Sequence, residues 1–372
     1  MGVLKVYACY NTDKDVRLSS SSGAVFSSLA ENVLEQQGVV YGVAMSEDCY
    51  SAEFISVTSK EQLTKLRGSK YLQAKVGNTY RSVKEDLVAG KLVLFSGTGC
   101  QVNGLKRFLG NEYDNLICVD VICHGAPSPA LWREYAQYQE KKSGGKLKGI
   151  NFRCKDESWT DFGMKEVLEN IPEDSVKKFY ISKDKDPYMQ MFLRDYCLRP
   201  SCYECVAKKE KMSDLTVADF WGIKEAAPEM NDGLGTSLVL IRTQKGKEIF
   251  NYISCKMKLK EVTYEAGVKG NPAEYKSCAR PSQRDTFFDD MHTMSFEELE
   301  GKYAAPIKYS LKTRAKRKVK KVIKKMLQVI GGGQRVIQNM DYSLCFVFDC
   351  KENKKCQNTL ERTASAEKPE LH

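Results

Sequence analysis

Three cysteines lie within a nine-residue stretch, Cys197, Cys202 and Cys205, spaced C-x4-C-x2-C, with Arg199 and Pro200 turning the chain between the first two. So short a segment brings thiolates toward one centre at little loop-closure cost. An uneven set of three with an x2 gap suits ligation of a metal or cluster better than a cystine. The chemistry on offer is an iron–sulfur cluster, or a zinc knot made from the same thiolates. Spacing alone leaves both open, and either needs a further ligand from elsewhere in the chain.

Other reactive groups fall at points where strands should end. In SGTGCQVNGLKRFLG, Cys100 opens a helix directly after a strand, where a helix N-terminus favours thiolate and suits a nucleophile or a ligand equally; a buried inert thiol is the plain alternative. The glycines allow close approach of backbone to a ligand, but Gly97-x-Gly99 lacks the third glycine of a dinucleotide fingerprint. Cys123 and His124 follow the apolar strand 116–122, at the carboxyl end where sites of open α/β sheets collect. His124 suits a proton donor or a cofactor contact, against a merely hydrogen-bonded structural role. Ser19 to Ser22 and Gly23 stand before a helix, as N-cap hydroxyls or as a phosphate-favouring helix start. In RGSKYLQAK, the loop residues Arg67, Lys70 and Tyr71 suit a planar anionic cofactor, although a solvated loop reads the same.

The elements that must position these groups alternate between strand and helix. Period-two and buried apolar runs predict strands over 3–10, 39–45, 54–57, 91–95, 116–122 and 215–220. Helical spacing predicts helices from Val25 to the stop at Gly38, over 79–89, from Cys100 to Leu109, over 130–142, and over 187–196, the last delivering Cys197. Strands joined by charged loops fill 143–186, where Trp159 and Phe162 read as core, and GLGTSLVLIRTQKGKEIFNYI is a strand–turn–helix. The fold class is α/β, a mixed, largely parallel sheet flanked by helices, with a small cysteine-rich region and a helical C-terminal extension. Residues 1–255 form the main domain, 256–306 a mixed helix and loop extension without a defensible site, 307–333 a basic amphipathic helix, and 334–372 a cysteine-containing, partly disordered tail.

The formal charge of +10 is local: residues 301–340 hold twelve Lys or Arg and no acid, leaving −2 for the rest. That distribution argues against specific nucleic-acid binding by the whole chain. The basic helix suits an anionic membrane surface or an acidic partner, or is a solvated helix with one buried stripe. No apolar run reaches about 18 residues and no signal peptide is evident, so the expected location is cytoplasmic, with a peripheral place at the inner membrane face if the helix binds lipid. Fourteen cysteines in that compartment argue for reduced thiols, some of them ligands. Cys345, Cys350 and Cys356 are too loosely spaced to define a second cluster.

Taken together and in order, SSSSGAVFSSLAENVLEQQGVVYG, RGSKYLQ, LVLFSGTGCQVNGLKRFL, YDNLICVDVICHGAPSP, NFRCKDESW, and CLRPSCYEC with SDLTVADFWGI resemble the coenzyme F420 hydrogenase/dehydrogenase beta-subunit family over roughly residues 4 to 242. The resemblance implies FAD and a [4Fe-4S] cluster. It makes Cys197, Cys202 and Cys205 cluster ligands with Cys123 or Cys100 as the fourth. It makes Ser20, Ser21, Ser22, Gly23, Lys70, Tyr71, Ser96, Gly97, Thr98 and Gln101 the FAD contacts. Two departures stand out: GTGCQ where GTPCQ is usual, and SSSSGAVF where SSSGGVF is usual. The ferredoxin-like segment that opens many relatives is not seen here, so the expected partners are an electron-donor protein such as a ferredoxin and a small-molecule hydride acceptor, a deazaflavin or another metabolite.

The reading is therefore a flavin and iron–sulfur oxidoreductase with His124 as proton source. The alternatives are a zinc-stabilised binding protein that works through its basic helix, and a cysteine hydrolase using Cys100 and His124.

Overall fold

The computed structural model describes residues 2–170 and 175–304, all within one compact unit, Met1–Ile307. The basic helix expected over 307–333 and the tail with Cys345, Cys350 and Cys356 lie outside the described residues.

The alternating segment KVYACYN forms β1 (Lys5–Asn11). After it, the Asp13 carboxylate accepts from the Asp15 and Val16 amides and caps the short α1 (Lys14–Leu18). The serines were expected to cap the next helix, α2 (Val25–Glu35), and they do not. Its N-cap is Ala24, held at φ 68°, with no side-chain hydrogen bond, and the serine hydroxyls bind other parts of the chain. The tight packing of Gly23 fixes this entry: a Cβ there would meet the Cys9 carbonyl at 2.4 Å and the Ser237 amide at 2.9 Å.

Then follow β2 (Val39–Met45), β3 (Ala52–Val57), α3 (Thr79–Val88), β4 (Val93–Thr98), α4 (Gly99–Leu109), β5 (Leu116–Val121) and α5 (Pro129–Ser143). Strands β6 (Gly145–Cys154), β7 (Gly163–Asn170) and β8 (Ser175–Ser182) make a separate antiparallel sheet in the order β6-β7-β8. After α6 (Pro187–Leu193) the chain returns to the main sheet as β9 (Leu215–Asp219). It ends through α7 (Ile223–Ala226), β10 (Ser237–Ile241), α8 (Gln244–Ile253), β11 (Met257–Glu261), α9 (Tyr264–Val268), α10 (Arg284–Thr293) and α11 (Phe296–Tyr303). Strand β11, in the stretch expected to hold only helix and loop, pairs antiparallel with β1 at the sheet edge.

The main sheet runs β11-β1-β10-β9-β5-β4-β2-β3. Its centre, β2, β4, β5 and β9, is parallel, and the antiparallel pairs lie on either side. This is the mixed sheet flanked by helices that the sequence pattern predicts. Strand β5 shows why its sequence is a continuous apolar run: Leu116 and Cys118 enter one core with α3, α4 and α5, whereas Ile117 and Val119 enter the opposite one with α2 and α8. Each large side chain so buried contributes about 1.5–3 kcal/mol. Trp132, fully buried on α5, also donates from Nε1 to the Cys49 carbonyl at 2.8 Å.

Parallel strands end at one edge. The loops after β2, β4, β5 and β9 therefore emerge side by side, and the end of β1 joins them because β1 runs antiparallel to β10, which in turn runs antiparallel to β9. Residues 19–23, Cys100, Cys123 and His124 lie at these strand ends.

Candidate functional site

Cys100 sits exposed in the first turn of α4. Thr98 and Gln101, two residues that the family resemblance made cofactor contacts, fasten that turn: Gln101 Oε1 accepts from the Thr98 amide at 2.9 Å and from its hydroxyl at 3.0 Å, and Thr98 Oγ1 lies 3.2 Å from Cys100 Sγ. Gly99 lets the turn slide under the cysteine loop, since a Cβ there would come within 2.9 Å of Asp120 Oδ2 and 3.1 Å of Ala207 Cβ. The adjoining Ser96 and Gly97 are half-buried at the end of β4, where a Cβ on Gly97 would touch Phe54.

Cys123 leaves the end of β5. Burial pushes its thiol up to about 12; Lys208 opposes the rise, and Cys100, Cys202 and Cys205 reinforce it, so the four sulfurs are electrostatic neighbours. Lys208 Nζ reaches back to the Cys123 carbonyl at 2.5 Å and also binds the Ala273 carbonyl. Cys202 Sγ accepts the Ala126 amide at 3.3 Å, and its thiol is raised chiefly by burial, with Cys100 and Cys205 adding to the rise. The Cys205 amide donates to Ser277 Oγ at 3.0 Å.

Cys197 is placed differently. It is fully buried in the aromatic core, its carbonyl accepts the Ser128 amide at 2.9 Å, and burial holds its thiol near 12 with Asp195 and Arg284 as the charged neighbours that shift it. Cys202 packs against the same core that holds Cys197. Leu198 bridges to Pro127 and packs inward with Cys197, and Pro200 then begins the single 3₁₀ turn, Pro200–Cys202, that carries the chain toward the strand ends. Both Cys100 and Cys123, weighed as alternatives for one ligand position, face the remaining pair.

A fifth thiol, which sequence reasoning missed, lies against the set. Cys278 Sγ is 3.6 Å from the His124 carbonyl and 4.0 Å from the Cys202 carbonyl. It lies in a segment with no motif, so the bare cysteine was its only signal.

Among the described residues, no three His, Cys, Asp or Glu side chains stand close enough to hold one metal ion. A single zinc needs all its sulfurs about 2.3 Å from one centre, whereas a cluster of four irons shares four thiolates among them. The donor set, soft sulfur from three separate loops, fits an iron–sulfur cluster.

His124 Nε2 lies 2.6 Å from Asp195 Oδ1, and its ring meets Phe192 edge-on at 5.3 Å. Asp195 is held at φ 65°, a left-handed conformation that costs a non-glycine residue energy and tends to mark a constrained site. Cys100 is bonded to Thr98 and His124 to Asp195, so the nucleophile–base contact of a cysteine hydrolase is not formed.

The expected flavin contacts fall into two joined loops and the β4 end. Ser21 Oγ lies 3.0 Å from Ser69 Oγ, tying 20–23 to 67–71. Ser20 donates to the Val16 carbonyl at 2.8 Å, Ser22 to the Thr236 carbonyl at 2.9 Å, and the Gly23 amide to Ser237 Oγ at 2.9 Å. Lys70 Nζ binds the Lys65 and Arg67 carbonyls; enclosure of that ammonium, though the side chain keeps partial solvent access, pulls its pKa down to about 7. The Tyr71 ring packs 5.2 Å from Phe192, the ring that also meets His124.

The segment NFRCKDESW locks onto the end of β9. Arg153 pairs with Asp219 at 3.0 Å, Trp159 Nε1 donates to Asp219 Oδ1 at 2.8 Å, and Trp159 stacks on Trp221 at 5.2 Å. Lys155 Nζ gathers the Arg17, Ser22 and Leu234 carbonyls, and burial with nearby Arg17 lowers its pKa to about 8.

Fold and site together define an α/β protein whose thiols and cations are collected at the carboxyl ends of parallel strands. The chain belongs to the coenzyme F420 hydrogenase/dehydrogenase beta-subunit family: residues 6–79 match the model of its N-terminal part and residues 90–266 that of its C terminus. It is 24% identical over 247 residues to a coenzyme F420-dependent sulfite reductase of Methanocaldococcus jannaschii, an overlap of 64% of this chain and 36% of that protein. The chain thus spans about a third of the length of that relative. A chain of the F420-reducing [NiFe] hydrogenase complex of Methanosarcina barkeri superposes with a TM-score of 0.45 at 15% identity, covering 69% of this chain and 82% of the other. No helix among the described residues is long and apolar enough to cross a membrane.

Proposed function

We propose that this chain is a flavin- and iron–sulfur-dependent oxidoreductase that moves electrons between a [4Fe-4S] cluster, FAD and a small hydride acceptor, a deazaflavin such as coenzyme F420 in keeping with the relatives' names. The observation that carries the reading is the meeting of Cys100, Cys123, Cys202 and Cys205 at the strand ends. When bound, a cluster exchanges single electrons and a flavin couples them to two-electron transfer.

The chain's own residues hold and shield. Cys100, Cys123, Cys202 and Cys205 would hold the iron, and the Ala126 amide, aimed at Cys202 Sγ, steadies the negative charge of that sulfur. Lys208 pins the Cys123 carbonyl. His124, hydrogen-bonded at Nε2 to Asp195 and edge-on to the ring of Phe192 that packs on Tyr71, is the proton donor of this reading. The loops 20–23 and 67–71, with 96–101, would enclose FAD, while Arg153, Trp159 and Trp221 close the side at β9. The donor is a separate acidic redox protein, and residues 1–255 form the catalytic part.

Anaerobic purification with iron, acid-labile sulfide and flavin analysis tests the reading, followed by mixing the reduced protein with coenzyme F420 and other acceptors. Iron and sulfide in equal amounts with bound flavin are expected. Stoichiometric zinc and no flavin would overturn it in favour of the zinc-stabilised alternative.

A further inference from the structure

Beside Cys100, Cys123, Cys202 and Cys205, which already make up the four thiolates a cluster uses, lies the sulfur of Cys278. Cys278 lies outside the span that matches the family, which ends at residue 266, so the family match does not account for it. Two contacts place it among the ligands: its sulfur is 3.6 Å from the carbonyl of His124, the residue after Cys123, and 4.0 Å from the carbonyl of Cys202 itself. The neighbouring Ser277 hydroxyl accepts the Cys205 amide at 3.0 Å, so the segment carrying Cys278 is fastened to the loop carrying two of the four thiols. Of those four, Cys202 is the one that appears among the charged groups shifting the Cys278 thiol.

We propose that Cys278 is a reserve ligand of this site, able to take the iron that Cys202 serves. The inference rests on the cluster reading above. Where Cys202 is replaced, the Cys278 thiol would give its proton to solvent and its thiolate would hold the iron in place of the Cys202 thiolate. No electrons are exchanged in the step, since one thiolate replaces another. Cys278 is only partly buried, and its sulfur already lies against the His124 and Cys202 carbonyls.

The full-length chain and the variants C278S, C202S and C202S/C278S are each reconstituted anaerobically with iron and sulfide. Iron and sulfide content are measured, along with the electron paramagnetic resonance of the reduced protein. Serine in place of Cys202 still offers an acceptor to the Ala126 amide, and thermal melts monitored by circular dichroism establish that each variant is folded. C278S is expected to keep wild-type iron with an unchanged spectrum, C202S to keep its iron with a shifted spectrum, and the double variant to lose it. Equal loss in C202S and C202S/C278S overturns the proposal, as does loss in C278S alone, which would make Cys278 a primary ligand. A wild-type chain that takes up no iron overturns both this proposal and the oxidoreductase reading, so the two failures are told apart.

Discussion

At the scale of single residues, the thiols have the plainest consequence. Cys123→Ser should lose iron, and Cys197→Ala should cost about 1–2 kcal/mol of stability from the small cavity left in the core; iron assay and urea unfolding check the pair. A second residue-scale prediction concerns a buried proton. Tyr135 has one hydroxyl hydrogen, yet its oxygen lies against Glu166 Oε1 and, at 2.7 Å, Asp186 Oδ2, so one of the two carboxyls must itself carry a proton. Burial pushes Asp186 up to about 7 and raises Glu166 as well, and the wider surroundings include Gln139, bonded to Tyr135 and Glu166, Lys142, which draws Glu166 down, and Glu300, which adds to the rise of Asp186. The folded chain thus holds a proton that an unfolded aspartate, with a pKa of about 3.9, releases. This contribution is complete below about pH 4, is lost as pH rises toward 7, and is gone above it. Wild-type stability in urea should fall by about 2–3 kcal/mol between pH 5 and 8 from this group. Asp186→Asn keeps the cap on the Met189 amide and supplies the hydrogen permanently, so its profile should be flatter. A variant that tracks the wild type would show that the proton resides elsewhere.

At the scale of elements, a buried ion pair, Arg153 on β6 with Asp219 at the end of β9, helps tie the small sheet β6-β7-β8 to the main sheet. Arg153 is 2% exposed, so Asp219→Ala leaves a buried cation without its acid and should cost about 3 kcal/mol, the lower end of the usual range because Asp219 keeps some solvent contact. Arg153→Met combined with Asp219→Ala should recover part of that loss, and a thermal melt of the three variants reads it. Much at this scale was legible in the sequence. The run Leu116–Val119 announces a strand covered on both faces, and the cysteine and histidine at its end announce a site. What was hidden has physical causes. MKLKE of β11 is an edge strand whose lysines point to water, so it lacks the apolar signature of a strand. The serines before α2 look like caps because nothing in the local sequence shows that Gly23 must lie against β1 and push the helix start to Ala24. Cys278 was missed because it approaches from a segment distant in the chain.

At the scale of the whole molecule, charge is arranged around the thiols. The stretches that carry Cys202, Cys205 and Cys278 expose Arg199, Lys209 and Lys276 against one exposed acid, Glu204, whereas Glu210 pairs with Arg107 and Glu274 is buried between Lys211 and Arg242. On the proposal that electrons arrive from an acidic carrier protein, this excess cation would steer the carrier to the cysteine face. Such steering is screened beyond about 10 Å at 0.1 M salt. The rate at which a reduced acidic carrier reduces this protein should therefore fall steeply as salt is raised, while reduction by a neutral photoreduced deazariboflavin should change little. Reversing two of the exposed charges, Lys209→Glu with Lys276→Glu, should slow the carrier reaction by about tenfold at low salt and flatten its salt dependence, leaving the neutral reductant unaffected. Stopped-flow absorbance at several ionic strengths makes the comparison. A carrier rate indifferent to salt in the wild type, or an equal loss with both reductants in the variant, would place the point of electron entry on another face of the molecule.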